Sequence, residues 1–285
     1  MRVLSLNTAL LSAFFGNIDI QPNVEERAPV IARTILCMDD EPDVICLQEV
    51  FDYDAIMHIK SQLNVIYPYD YIDERIPAWF VGVDSGLAIF SKYPITQRFI
   101  YTYKYCTGDC ILSKKGVMGV KVDVNGKEIC VFNTHMQAGP NKSYLFKFLY
   151  LFCKNQINGI NVRRLSTNQV RMMQLREAKT HIELFAGDTP SIFVGDFNID
   201  SYDQTYFKDP LDNEEITVAN MINKVFPHTE TYRRDMSASI YSIYDDNKRI
   251  DHMLAVQGIE GMSYIVDTFT EKMTDHRGVY GAFYV

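Results

Sequence analysis

Short runs rich in Val, Ile and Phe recur along the chain, and each is bounded by Gly, Pro, Asp or Asn. This pattern predicts β-strands. The dipeptide Asn125-Gly126 separates two of the runs and suits a type I′ turn, so we predict a hairpin there. The predicted strands are VLSLNTA, DVICLQEV, LAIFSKY, KGVMGVKVDV, KEICVFNTHM, SIFVGDFN, RIDHMLAV and GVYGAFYV.

Two segments between the strands have helical periodicity. The first, VEERAPVIARTILCMD, repeats apolar residues from Val30 to Leu36, and Pro42 follows as a stop signal. The second, STNQVRMMQLREAKTHIELFAG, has Ser166 or Thr167 as its cap and Gly187 as its end. Its apolar face is predicted to contain Val170, Met173, Ala178, Ile182 and Phe185.

Strands, helices and a hairpin follow one another without a repeat, linker or low-complexity run. We therefore expect a single α/β domain over residues 1–285, built on a mixed sheet. The hydrophobic fraction of 47% is that of a globular protein. The net charge of −8 argues against bulk electrostatic binding to nucleic acid, although it leaves room for a local basic cleft.

The N-terminus reads as a first strand, because no small-residue cleavage site follows it. No apolar run reaches the ~20 residues that span a bilayer. We expect a cytoplasmic protein or one peripheral to a membrane, with secretion left open. Cys46 and Cys130 lie in apolar strands and are predicted core residues, whereas a disulfide among Cys106, Cys110 and Cys153 stays open.

The most informative feature is the residue at which each apolar strand ends. One polar strand end is usually a turn residue or a cap, but here many of them can bind metal or move protons. Strand ends that meet at one sheet edge form sites. The residues are Asn7, Glu49, His135, Asp196, Asn198, Asp251, Asp275 and His276.

These residue types suit phosphoryl chemistry with a hard cation. Mg²⁺ prefers oxygen ligands and needs only one or two carboxylates, which Glu49 with Asn7 nearby would provide. Asp196 and His276 are the candidate bases for activating water. His135 and Asn198 can donate to phosphoryl oxygens. Asp251 or Asp275 can fix the tautomer of a histidine.

The motifs LSLNT, LQEV, NTHMQA, VGDFNID, RIDHMLA and TDHRG, in this order, resemble the endonuclease/exonuclease/phosphatase superfamily. The resemblance implies a DNase I-like fold. This is a four-layered α/β sandwich in which two packed mixed β-sheets are flanked by helices. It also implies Mg²⁺-dependent cleavage of phosphoesters, with Mn²⁺ as a substitute metal.

Within that superfamily, CLQEVFD, LSKKGVMGVKV and THMQA followed by TNQ resemble neutral, Mg²⁺-dependent sphingomyelinases of the sphingomyelinase C type. The resemblance implies a phosphoric diester hydrolase that converts sphingomyelin into ceramide and phosphocholine at a phospholipid membrane surface. An abasic-site endonuclease, a phosphoinositide phosphatase and a catalytically dead family member are the alternatives. No protein partner is inferred.

The resemblance also assigns roles to individual residues. Glu49 would be the Mg²⁺ ligand, with Asn7 close to it. His135 would stabilise the phosphate, and Lys115 would contact it, although a solvated strand-end lysine is the other interpretation. Asp196 and Asn198 would hold the water and the phosphate. Asp251 would support a histidine, and Asp275-His276 would supply the general base, with Asp196 as the second choice.

Membrane contact does not carry over from the resemblance. The stretch before Asp275 is too short for the aromatic hairpin by which the bacterial enzymes touch membranes. The apolar segment SYLFKFLYLF, at residues 143–152, is either core or a patch that dips into the lipid interface. In the second case Leu145, Phe148 and Leu149 are the predicted membrane contacts.

Overall fold

The computed structural model describes residues 1–13, 18–19, 21–73, 84–107, 110, 113–139, 160–161 and 165–285. In chain order the helices and strands are β1 (Arg2–Leu10), β2 (Ser12–Ala13), β3 (Ile18–Asp19), α1 (Val24–Leu36), β4 (Val44–Val50), α2 (Tyr53–Leu63), β5 (Tyr69–Ile72), β6 (Ala88–Ser91), β7 (Ile95–Thr102), β8 (Tyr105–Cys106), β9 (Gly116–Val124), β10 (Lys127–His135), β11 (Ile160–Asn161), α3 (Thr167–Ala186), β12 (Ser191–Asp196), β13 (Tyr206–Lys208), β14 (Glu215–Thr217), α4 (Met221–Val225), β15 (Asp251–Gln257), β16 (Glu260–Val266) and β17 (Gly278–Tyr284).

Two mixed sheets form the centre of the molecule. The first has the strand order β16-β17-β1-β4-β6-β5, and the second has the order β15-β12-β10-β9-β7. In the first sheet β1 and β4 run parallel, and in the second β10 and β12 do so. The other described pairs within these two sheets are antiparallel.

Three apolar layers separate four layers of secondary structure. Helices α1 and α2 pack on the outer face of the first sheet, and α3 and α4 pack on the outer face of the second. Between the sheets lies a third cluster that includes Val3, Cys46, Met118, Val131 and Val194. The predicted four-layered α/β sandwich is therefore confirmed.

Helix α3 begins as its sequence predicts. The Ser166 hydroxyl accepts from the backbone N–H of Gln169, and the Gln169 side chain accepts from the Ser166 N–H, which completes a capping box. The prediction that Met173 lies on the buried face is wrong, since Met172 is buried instead. The buried face is rotated because it also takes in Gln174, whose amide is satisfied by Gln137 N and Tyr105 O.

The predicted hairpin between β9 and β10 is confirmed. Asn125 and Gly126 have φ of 54° and 87°, the left-handed values that a type I′ turn requires. Helix α2 was not predicted. Asp52 caps it by accepting from Ala55 N at 2.8 Å, so the end of the motif CLQEVFD begins a helix.

Some sequence predictions fall on other parts of the chain. Leu145, Phe148, Leu149 and Cys153 lie outside the described residues. Cys106 and Cys110 are both free thiols, so they do not bond to each other. No helix in the described ranges combines the length and the apolar character needed to cross a membrane.

Candidate active site

The topology brings the polar strand ends of both sheets to one place. The carboxyl ends of β1 and β4 lie side by side, as do those of β10 and β12. Asp251 opens β15 and pairs in register with Asp196 at the end of β12. Across the two sheets, Asn7 Nδ2 donates to Asp196 Oδ2 at 3.1 Å. The site therefore straddles the sandwich at one end.

The backbone is strained where it delivers these side chains. Ala9, Glu49 and Asn198 have φ of 48°, 55° and 53°, values that cost a non-glycine residue roughly 1–3 kcal/mol. Gly195 has φ of 139°, and a Cβ there would lie 2.1 Å from the carbonyl oxygen of Thr134. A glycine is thus required immediately before Asp196, because β10 passes too close for a side chain.

Glu49, His135 and Asp196 form the first group of the site, with one ligand atom of each within 4.8 Å of the others. His135 Nε2 lies 3.4 Å from Glu49 Oε1 and 3.5 Å from Asp196 Oδ2. Lys115 Nζ is 2.6 Å from the same ring nitrogen and also donates to the carbonyl of Met136. Lys115 is 6% exposed, so the solvated-lysine interpretation is wrong.

Asp196, Asp251 and His276 form the second group. His276 Nδ1 and Asp251 Oδ2 are 2.8 Å apart and both side chains are buried, so the carboxylate fixes the ring and leaves Nε2 toward the site. Asp275 is exposed at the rim, with Oδ1 4.0 Å from that Nε2. Asn198 N donates to Asp196 Oδ1 at 2.8 Å.

The charges of the site are not balanced internally. Burial raises the pKa of Asp196 to about 7, and the neighbouring Asp251 carboxylate adds to the effect. Burial also raises the pKa of Glu49, although Lys115 and His276 oppose it. For His276, burial alone lowers the pKa, but Asp251 outweighs it and raises the pKa to about 10. Burial and Lys115 hold the pKa of His135 well below its usual value.

This donor set fits a hard divalent cation. Glu49 and Asp196 offer carboxylate oxygens in one buried place, and burial is the main cause of the raised pKa of each carboxyl. Asn7 lies beside both carboxylates. Its Oδ1 accepts from Ala9 N at 3.0 Å while its Nδ2 holds Asp196, so it orients that carboxylate.

The structure places every predicted strand-end residue, together with Lys115, in this one site. Sequence reasoning missed the side chains that support them. Gln48 Nε2 donates to Asn133 Oδ1 at 2.7 Å, which links the two sheets directly behind Glu49 and His135. Arg27 and Thr274 hold the loop before His276. The sequence does contain a signal for Arg27, because its spacing puts it on the apolar face of α1 with Val24, Ala28 and Ile31.

The comparison of this chain with protein families shows which family it belongs to. Residues 9–276 match the Endonuclease/Exonuclease/phosphatase family. The chain belongs to this family. Among curated family relatives, Sphingomyelinase C of Bacillus cereus is 23% identical over 287 residues, covering 93% of this chain and 78% of that protein. Phospholipase C of Staphylococcus aureus is 28% identical over 155 residues, covering 50% of this chain and 45% of that protein.

The aligned region thus spans about half the length of the Staphylococcus aureus phospholipase C that it matches. Among solved structures, beta toxin from Staphylococcus aureus aligns with a TM-score of 0.70 and 18% identity, over 99% of both chains. A substituted form of beta toxin with bound magnesium ions aligns with a TM-score of 0.69 and 18% identity, over 98% of both chains. At these identities the likeness establishes the fold.

Proposed function

We propose that this chain is a Mg²⁺-dependent phosphodiesterase that hydrolyses sphingomyelin, or a related phospholipid, to ceramide and phosphocholine. The observation that carries the proposal is the meeting of two carboxylate–histidine groups at Asp196. Membership of the family and the sphingomyelinase C and phospholipase C relatives support a phosphoric diester hydrolase. The choice of a lipid substrate rests on those relatives and on the sphingomyelinase-like motifs of the sequence.

Glu49 and Asp196 are the residues that would hold the cation. When bound there, Mg²⁺ supplies stabilisation of charge on the phosphoryl oxygens and lowers the pKa of a coordinated water. The beta toxin structure with bound magnesium supports the choice of metal. Asn7 contributes by fixing the Asp196 carboxylate from the opposite sheet.

His276 is our candidate for the general base. Asp251 engages Nδ1, so Nε2 is the atom that would take the proton from the attacking water. A base must be neutral to act, and the pKa of His276 falls when positive charge is placed beside it. Asp196, whose pKa burial raises to about 7, is the second candidate.

Lys115 and Asn198 would donate to the phosphoryl group, and His135, whose neutral ring accepts from Lys115 through Nε2, would hold that ammonium in place. Lys115 places a buried ammonium beside the neutral ring of His135, within 2.6 Å of Nε2. Asn198 has its amide nitrogen 3.3 Å from the carbonyl of Met136, so its side chain lies along the same edge. Donors held in place before the substrate arrives stabilise developing charge effectively, since they need little reorganisation.

An assay of the purified protein against several phosphodiesters tests the proposal. Sphingomyelin vesicles, abasic-site DNA and phosphoinositide vesicles would each be offered with Mg²⁺ and with a chelator. We expect phosphocholine release from sphingomyelin that needs the metal and is lost in His276→Ala. Cleavage of abasic DNA without activity on sphingomyelin would overturn the lipid assignment and favour the endonuclease alternative.

We also propose that the chain meets its lipid through Leu145, Phe148 and Leu149, on the basis of the apolar sequence around them. Replacing all three with Ser should abolish binding to sphingomyelin vesicles and leave turnover of bis(4-nitrophenyl) phosphate unchanged. Loss of both activities with loss of the folded state would instead assign the segment to the core.

A further inference from the structure

Arg27 is a buried arginine that donates to backbone carbonyls from three separate segments. It lies in α1 and is 9% exposed. Its Nη1 donates to Thr8 O at 3.1 Å and to Met273 O at 2.7 Å. Its Nη2 donates to Ala9 O at 2.7 Å, and its Nε donates to Pro22 O at 2.8 Å.

Two of these segments carry residues of the candidate site. Thr8 and Ala9 directly follow Asn7, and Met273 precedes Asp275 and His276. Thr274 ties the same two segments together, because its hydroxyl donates to Asn7 O at 2.7 Å and accepts from His276 N at 3.2 Å. The end of β1 and the loop before β17 are thus joined by two buried side chains.

The sheet alone does not hold these segments. The pairing of β1 with β4 shifts register after Asn7, and Ala9 adopts a left-handed φ of 48°. The guanidinium of Arg27 donates to the carbonyls of both Thr8 and Ala9, and such a group can satisfy several carbonyls at once. An apolar residue at position 27 would fill the space and leave those buried acceptors unpaired.

We propose that Arg27 and Thr274 are positioning residues that form a clasp between the strand end bearing Asn7 and the loop bearing Asp275 and His276. The clasp sets the distance between the carboxylates of the site and the His276 ring. Its kinetic consequence rests on the function proposed above. Its structural consequence, an ordered loop at residues 270–277, does not.

The kinetic test compares Arg27→Lys and Arg27→Gln with the wild type, at a temperature at which circular dichroism shows each variant folded. Sphingomyelin vesicles and bis(4-nitrophenyl) phosphate are both used as substrates. We expect kcat to fall roughly 10–100-fold, as for residues that orient a catalytic group, while KM changes by less than about threefold. Lys should retain more activity than Gln, since its ammonium still reaches a carbonyl.

Arg33→Gln is the matched control, because Arg33 lies on the exposed face of the same helix. It should leave kcat unchanged. Thr274→Val should lower kcat about tenfold, and combining it with Arg27→Lys should cost less than the product of the two effects, since both changes loosen one loop. Fully multiplicative effects would contradict a shared clasp.

Hydrogen exchange gives a readout that needs no substrate. In Arg27→Lys the amides of residues 270–277 should exchange faster than in the wild type, whereas those of α3 should not. A lowered Tm with unchanged exchange at 270–277 and unchanged kcat would overturn the proposal and make Arg27 merely structural. Should the wild type cleave bis(4-nitrophenyl) phosphate but no sphingomyelin, the lipid assignment fails while the clasp is still tested. If the wild type cleaves neither substrate, hydrogen exchange at residues 270–277 tests the clasp by itself.

Discussion

Two aspartates of this chain are both shielded from solvent and differ in what surrounds them. Asp209 is fully buried, yet Arg176 donates to both of its oxygens and Lys224 Nζ lies 2.9 Å from Oδ2. Asp196 is 2% exposed and faces amide and imidazole nitrogens together with other carboxylates.

The pKa values of the two carboxyls move in opposite directions. The hydrogen bond from Arg176 holds the pKa of Asp209 well below its usual range. Burial and the Asp251 carboxylate raise the pKa of Asp196 to about 7. The charge of Asp209 is neutralised by the fold itself, whereas Asp196 lies beside other carboxylates and is our proposed metal ligand. A buried carboxyl with a raised pKa lowers the stability of the folded state, and catalytic sites commonly contain such groups.

The largest effect is expected from His276→Ala. Removing the proposed base should lower kcat by roughly 10³–10⁴-fold with the fold intact, as for loss of a general base. Steady-state turnover with Mg²⁺, alongside a circular dichroism spectrum, measures this. Near-normal turnover would refute the assignment of His276.

His252 supplies the matched control for that measurement. It is also buried and follows Asp251 in sequence, but its Nε2 contacts the carbonyl of Ile199 at 2.8 Å, on the other side of β15. Burial lowers its pKa to about 3, so it stays neutral. We expect His252→Gln to affect stability and to change kcat by less than about tenfold.

Asp196→Asn should separate activity from stability. We expect kcat to fall by about 10²–10³-fold, because the proposed contact of Asp196 with metal and phosphate is lost. With a chelator present, the variant should unfold no more easily than the wild type, and at about pH 8 it should be more stable by roughly 1 kcal/mol or more. The sign follows from the raised pKa of Asp196. The native state binds more protons than the unfolded state between the two pKa values, so wild-type stability falls as pH rises through that range.

Chemical denaturation at several pH values measures this difference. The advantage of Asp196→Asn should shrink as the pH is lowered toward about 4, where the carboxyl is protonated in the native state of the wild type. A variant less stable than the wild type at every pH would mean that Asp196 is a structural carboxylate like Asp209.

The effect of Mg²⁺ on thermal stability should also distinguish Asp196 from Asp209. At a Mg²⁺ concentration of about 100 Kd, the folded state gains roughly 2.7 kcal/mol. The resulting rise in Tm should appear in the wild type and in Asp209→Asn, and should be lost in Asp196→Asn and Glu49→Gln. An equal rise in all four proteins would place the cation elsewhere.

The part of the site that lies in strands was open to prediction from sequence. Glu49 and Asp196 each end an apolar run, and parallel pairing puts the end of β4 beside that of β1 and the end of β12 beside that of β10. The four-layered fold followed from the family motifs. Helix α2 was missed although Asp52 caps it and Ala55, Ile56, Ile59 and Leu63 have helical spacing. The cap residue is the last residue of the motif CLQEVFD.

Contacts between distant segments were not open to prediction. Arg27 meets Met273 across a sequence separation of 246 residues, and Thr274 meets Asn7 across 267. Nothing in either local sequence specifies its partner, because the contact exists only once β17 lies beside β1. Lys115 is similar, since its burial follows from the position of His135 in the neighbouring strand.

The smallest effect is expected from Asp209→Asn, which tests the other half of the comparison. An asparagine cannot accept two charge-assisted hydrogen bonds from Arg176, so the free energy of unfolding should fall by about 1–3 kcal/mol at neutral pH, with kcat unchanged.

Because the folded pKa of Asp209 is depressed, its stabilisation is present above the unfolded pKa of about 4 and is lost as the pH falls below it. The wild type and the variant should therefore converge in acid, the reverse of the slope expected for Asp196. Asp212→Asn is the control, since its half-exposed carboxylate also meets Lys224 but should contribute less than that of Asp209. If Asp209→Asn lowers kcat as Asp196→Asn does, the two carboxylates are coupled, and the division between a neutralised structural charge and an open catalytic one fails.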